Sequence, residues 1–435
     1  MKPGQAQNLA TALAHGERSA VETVEQAIAR IESQDAAINA VVVRDFERAR
    51  EQATRADELL RRGERAPLLG VPMTIKESIN VAGLPTTWGM EQQAGYVPEH
   101  DATVVRRLKA AGAIILGKTN VPPLLSDLQS ANPVYGVTHN PYRQGLSPGG
   151  SSGGSAAALA AGFVVAEVGS DIGGSIRTPA AFCGVWGLKP THGVVPLAGH
   201  TFPGTDSADV HLAVVGPMAR SVADLDLLLG ILANHPLSHS DRPTLRGLRV
   251  AVVTEHPLAA CSSEMTRAVQ TQAGLLEARG AYLDTDPDLP DLEGMHRDYL
   301  RLLNTVMFRG TPPPGQPPTT LTQWFDLLDR HARVGRVWDE LLSDRYDVIL
   351  APVFGTTAFP IDDGDITTRT IDIDGRNEPF APQLAWAGLA SYPGLPAVSF
   401  PAGLSADGMP IGLQLIGPRF ADRQLLQIAA LLTDR

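Results

Sequence analysis

Residues Ser147–Gly162 read SPGGSSGGSAAALAAG, with four serines and five glycines around one proline and then an alanine–leucine run closed by Gly162. Glycine- and serine-rich segments are usually flexible linkers, but a linker does not lead straight into an alanine–leucine helix and a β-branched strand such as FVVAEVG, which follows at Phe163. A phosphate loop would need a lysine after its last glycine, and none follows Gly154. The pattern G-x-S-x-G occurs twice in overlap, centred on Ser151 and Ser152, which raises an α/β-hydrolase elbow with a histidine triad. That elbow needs a strand directly before it, whereas HNPYRQGLSP is turn-like and the last histidine, His331, lies in a helical pattern. The segment therefore reads as backbone freedom and hydroxyl groups fixed between ordered elements.

A second cluster, GSDIGGSIRTPAAFCGVWGLKPT, spans Gly169–Thr191. Gly173 and Gly174 allow a ligand to approach the backbone, and Ser175 is expected to open a short helix whose N–H groups converge there. Upstream, Lys76 ends the branched apolar run Leu68–Ile75, LLGVPMTI, where burial would lower its pKa and free a neutral amine to act as a base. Serine with lysine is an alternative to serine with histidine. Ser170 and Thr178 suit turn capping as well as a site role, and Asp171 is the expected partner of Arg177. Cys183 reads as a packed core thiol, and His139 and His192 flank the motifs without entering the mechanism.

Around these clusters, apolar positions at helical spacing predict two surface helices over 19–62, a helix over 102–111 and helical segments around 262–279 and 321–342. Buried strands are expected at Leu68–Ile75, from Ala113 (AIILGKTN), from Leu248 (LRVAVV) and from Tyr346 (YDVILAP), with a hairpin of PAVSFPAG and MPIGLQLIG near the end. This alternation predicts an α/β fold, a sheet with helices on its faces. Gly310–Thr320, rich in proline, reads as a surface loop, and no internal repeat is visible. With 435 residues, 43% of them hydrophobic, the chain can bury a sizeable core. Its net charge of −11, with acids and bases interspersed, argues against a nucleic-acid partner. The two cysteines lack metal-ligand spacing, so no metal is expected; they suit a reducing compartment, and the cytoplasm is the default expectation. Residues 1–16 show no apolar core behind basic residues, and no apolar run approaches the length of a membrane span.

Five segments together resemble the amidase signature enzymes: GVPMTIKES around Lys76, GKTN at Gly117–Asn120, NPVYGVTHNP at Asn132–Pro141, the opening stretch, and Gly169–Thr191. Their order and spacing match, and weaker likeness extends over most of the chain. The resemblance implies a central mixed, twisted β-sheet covered on both faces by α-helices. It also implies one domain over 1–435: a signature core at about 66–200, a more variable helical and loop region at about 240–345 and C-terminal strands over 346–435. It implies a Ser-cisSer-Lys triad with Ser175 as nucleophile, Ser151 as the bridge after a cis Gly150–Ser151 peptide, and Lys76 as base. The backbone of Ile172, Gly173, Gly174 and Ser175 would form the oxyanion hole, with Gly149, Gly150, Ser152, Asp171 and Arg177 supporting the loop. No metal or cofactor is implied. The expected substrate is a small apolar or aryl amide, ester or carbamate, and the oligomeric state is left open. Pro123 stands where the family is usually acidic, leaving Leu124 and Leu125 beside the substrate, and Tyr135, Gln383 and Trp386 are further pocket candidates. The family also includes the glutamine-hydrolysing subunit of a tRNA amidotransferase, whose late pattern departs from APQLAWAGLASYPGLP at Ala381–Pro396. A non-catalytic partner subunit is disfavoured, because all three triad positions hold competent residues.

Overall fold

Along strand Val348–Pro352, Val348 and Leu350 enter one apolar cluster while Ile349 and Ala351 enter another. Successive side chains of a strand point to opposite faces, so this sheet is covered on both sides. In the computed structural model, which describes residues 1–241, 243–310 and 317–433, that strand lies inside an eight-stranded mixed sheet. The order runs Tyr282–Asp284, Arg249–Val252, Val348–Pro352, Pro410–Ile416, Ala397–Leu404, Trp186–Lys189, Val214–Ala219 and Ala166–Asp171. The first three strands pair in parallel, and every later pairing is antiparallel. One cover contains helices Ser263–Ala278, Val222–Leu232 and Asp422–Thr433; the other contains Leu292–Met307, Leu321–Asp344 and Leu384–Ser391.

A smaller sheet joins Val41–Arg44, Ile114–Thr119 and Pro72–Lys76. Its Pro72–Lys76 strand packs beside Ala166–Asp171, the edge of the large sheet. The two strands end at Lys76 and Asp171, and Lys76 Nζ reaches Ser170 Oγ across this junction.

Several elements differ from the sequence expectation for local reasons. The helix after the glycine-rich stretch begins at Gly153 rather than Ser155 and runs to Ala160. Both extra glycines serve packing: a Cβ on Gly154 would collide with the main chain of Asn120. Phe163 does not start a strand, because Gly162 and Phe163 still donate to Leu159 and Ala158 in the turn that ends the helix, and the strand begins at Ala166. Ser175 does not open the next helix, which is Arg177–Phe182; the N–H groups of Ile176 and Arg177 are drawn to the Asp171 carboxylate instead. The two N-terminal helices form at Ala20–Gln34 and Phe46–Arg61, separated by the unexpected strand Val41–Arg44. Helix Leu292–Met307 falls in the region expected to be helical and looped, although no separate helix is expected at those residues. Of the proline-rich loop expected at Gly310–Thr320, residues 311–316 lie outside the described residues. No helix among the described residues is long and apolar enough to cross a membrane.

Gly154 decides whether the glycine-rich stretch can sit this close to its neighbours. Alanine in an ordinary helix interior stabilises by up to about 1 kcal/mol over glycine. Here Gly154→Ala should instead lose about 1–3 kcal/mol through forced displacement of the Asn120 main chain. A urea titration showing the variant equal to or above the parent would contradict this packing.

Candidate active site

Lys76 is fully buried at the end of its strand, and its Nζ donates to Ser151 Oγ at 2.7 Å and to Ser170 Oγ at 2.9 Å. Burial pushes the amine down to about 7, against the opposing pull of the Asp171, Glu167 and Glu77 carboxylates. Ser151 lies just before helix Gly153–Ala160, after a cis Gly150–Ser151 peptide. Gly149 and Gly150 run so close to Pro179 and to the Asp127–Gln129 main chain that a Cβ has no room. Ser152 stitches the segment to its surroundings. Its N–H donates to Ser175 O at 3.1 Å, and its Oγ lies 3.3 Å from both the N–H and the carbonyl of Ser170.

Ser175 sits in the turn between strand Ala166–Asp171 and helix Arg177–Phe182. The turn is built around Asp171, which accepts from Gly174 N at 2.9 Å and from Ile176 N at 3.1 Å. Arg177 grips the same carboxylate through Nε at 3.1 Å and Nη2 at 3.0 Å, and both side chains are wholly buried. Burial alone would raise the Asp171 carboxyl, but the Arg177 guanidinium outweighs it and holds the group well below the usual carboxylate range. The remaining Arg177 donors reach Ala387 O, Gln414 Oε1 and Ser391 Oγ.

Because Gly174 N–H is committed to Asp171, it is not available to a bound oxyanion, contrary to the sequence expectation. The N–H groups of Ile172, Gly173 and Ser175 donate to no described residue, and Ile172 and Ser175 line a cavity of about 660 Å³. Ser151, Ser170 and Asp171 line it too. The Ser175 hydroxyl makes no hydrogen bond to a described residue, Ser151 included.

Leu124 and Leu125 line this cavity, both in left-handed backbone at φ 54° and 59°. Tyr135, Gln383 and Trp386 do not. The Tyr135 hydroxyl donates to Glu77 Oε1 at 3.1 Å. Gln383 is buried, accepting from Gly355 N at 2.8 Å and donating to Ala260 O at 2.9 Å, and Trp386 is 0% exposed inside an apolar cluster. The rest of the wall is mostly apolar, from Trp88, Phe202, Val210, Val306, Met307 and Trp324, residues that no local pattern marks. His139 and His192 stay out of the cavity, whereas His200 and His211 line it. Burial pushes His200 down to about 4, so it is neutral at pH 7. Cys183 is buried, with its Sγ donating to Pro148 O at 3.4 Å. Among the described residues, no three His, Cys, Asp or Glu side chains form a group that could hold a metal ion.

The family model "Amidase" matches residues 22–308 and 319–426. The chain is 34% identical to a glutamyl-tRNA(Gln) amidotransferase subunit of Chloroflexus aggregans, an alignment covering 96% of this chain and 93% of that protein. It is 33% identical to an acylamidase of Rhodococcus erythropolis, covering 98% and 94%. Among solved structures, a 6-aminohexanoate cyclic dimer hydrolase complexed with substrate superposes with a TM-score of 0.84 at 29% identity, covering 98% of this chain and 96% of that one.

The buried ion pair at the turn sets a stability expectation. Asp171→Asn leaves the Arg177 guanidinium buried without its counter-charge and should lose about 3–5 kcal/mol, read from a guanidinium denaturation curve. A loss below about 1 kcal/mol would mean that the pair does not hold this turn.

Proposed function

The chain belongs to the amidase family of C–N bond hydrolases, and within it we propose an enzyme that cleaves small amides bearing an apolar or aryl group through an acyl-enzyme on Ser175. The observation that carries this reading is the hydrogen bond from a fully buried Lys76 to Ser151, beside a cavity that also holds Ser175. In the neutral amine, one N–H stays on Ser170 Oγ and the lone pair turns to the Ser151 hydroxyl. Ser175 Oγ attacks the carbonyl carbon as its proton passes to Ser151 and the Ser151 proton passes to Lys76. The carbonyl electrons move to oxygen, which the N–H groups of Gly173 and Ser175 receive. The intermediate collapses, the C–N bond breaks, and the leaving amine takes the proton back along the same relay. Water then repeats the sequence on the acyl ester, releasing the acid and restoring Ser175.

Apolar walls and neutral histidines favour an uncharged ring or alkyl group beside the carbonyl. Esters and carbamates present a similarly attackable carbonyl and fall within this proposal. A second reading, the glutamine-hydrolysing component of a tRNA amidotransferase, is favoured by the 34% identity to a protein of that name. Free glutamine carries two charges, which the apolar part of the wall does not match; the charged side chains Asp209 and Arg309 also line the cavity, and both are exposed. Purified chain assayed alone on glutamine, fatty amides, acetanilides and aryl carbamates separates the two readings. Turnover of acetanilides or carbamates without partner chains supports the first, and activity confined to glutamine overturns it.

Ser175→Ala should lower turnover by a factor on the order of 10³ or more and abolish labelling by a fluorophosphonate, with unchanged circular dichroism. Retained turnover would remove Ser175 from the nucleophile role.

The base must be unprotonated, so kcat/KM should fall about tenfold per pH unit below about 7 and level off above it. Lys76→Ala should abolish this limb together with activity, while His139→Ala and His192→Ala keep it. A limb that survives in Lys76→Ala and disappears in one histidine variant would contradict the relay.

A further inference from the structure

Tyr299 lies on helix Leu292–Met307, fully buried, and its hydroxyl donates to Ile172 O at 2.8 Å across 127 positions of sequence. The same peptide unit carries the Gly173 N–H. In a planar trans peptide the carbonyl and the following N–H point in opposite directions, so a hydroxyl pulling on Ile172 O aims Gly173 N–H the other way. Ile172 and Ser175 both line the cavity, and Gly173 N–H donates to no described residue. A hydroxyl donating to the carbonyl also polarises the peptide, making its N–H a stronger donor. Gly173 itself records the closeness of the contact, since a Cβ there would sit 3.3 Å from the Tyr299 hydroxyl. Two turns further along the helix, Val306 lines the cavity, so one element carries both the turn's brace and a stretch of substrate wall.

We propose that Tyr299 is a positioning residue of this reaction, fixing the Ile172–Gly173 peptide so that Gly173 N–H meets the oxyanion. The proposal rests on the acyl-enzyme reading given above. It assigns the Tyr299 hydroxyl an effect in the transition state rather than in substrate binding, because the hydroxyl acts behind the peptide and does not touch the cavity.

The test is Tyr299→Phe, which keeps the ring and its packing and removes only the hydroxyl. Tyr392→Phe is the matched control: Tyr392 is a fully buried neighbour whose ring lies 5.9 Å from Tyr299 and whose hydroxyl meets no partner among the described residues. Each variant is assayed for kcat and KM on an anilide the native enzyme turns over, and for inhibition by the matching trifluoromethyl ketone, whose adduct with a serine carries an oxyanion. Tyr299→Phe should lower kcat about tenfold or more with KM unchanged, and weaken the ketone by the same factor, while Tyr392→Phe changes neither. An unchanged kcat, a rise confined to KM, or an equal loss in Tyr392→Phe would overturn the proposal. A ketone that does not inhibit the native enzyme would remove the serine–oxyanion reading itself, and this proposal with it.

Discussion

A lysine amine held out of water against two serine hydroxyls is the constraint around which this molecule is arranged. A charged ammonium is expensive to bury, but an amine that sheds its proton needs only hydrogen-bond partners. Ser151 and Ser170 supply them at 2.7 and 2.9 Å. The three residues come from a strand of the small sheet, a glycine-rich segment and the edge strand of the large sheet. They can meet only if those elements close to within a few ångström of one another. The glycines at 149, 150 and 154 permit that closeness, because a Cβ at each would strike a neighbouring main chain.

Burial by itself does not single out Lys76. Lys118 and Lys189 are equally buried, and burial pushes them down to about 8 and about 7. Lys189 donates to the carbonyls of Leu395 and Pro190, groups that have no proton to give. Lys118 donates to Thr86 Oγ1 and Pro85 O, and neither residue lines the cavity. Lys76 differs in having a hydroxyl partner that opens onto the cavity. The same contrast applies to charge: Asp171 and Arg177 are as buried as the lysines, but each is ionised and neutralised by the other, which suits a frame rather than a base.

The parts of this architecture held by local sequence are legible, and the parts assembled from distant segments are not. Lys76 at the end of LLGVPMTI and Ser175 beside paired glycines stand out as candidates in short motifs, and the alternation of apolar runs with amphipathic helices points to the layered fold. Gly153 reads as loop because glycine is a poor helix former; only the approach of Ser130 and Asn120 to this segment explains glycine here. Gly174 groups with its neighbours as an oxyanion donor by pattern, yet Asp171, three residues earlier, takes its N–H. Tyr135, Gln383 and Trp386 suggest a pocket by residue type, but their polar and apolar surfaces are used in packing. Trp88, Phe202, Met307 and Trp324 meet at the cavity from four separate regions, a convergence no periodicity encodes.

If burial against serine hydroxyls holds the Lys76 amine neutral near physiological pH, the amine itself must titrate there. Protein labelled with ¹³C at lysine Cε, followed by NMR across the pH range, reads that amine directly, with its resonance assigned by its loss in Lys76→Met. A titration near pH 7 is expected, well below the value of about 10.4 for a lysine in water. A Lys76 resonance that keeps the shift of a charged ammonium up to about pH 10 would contradict it.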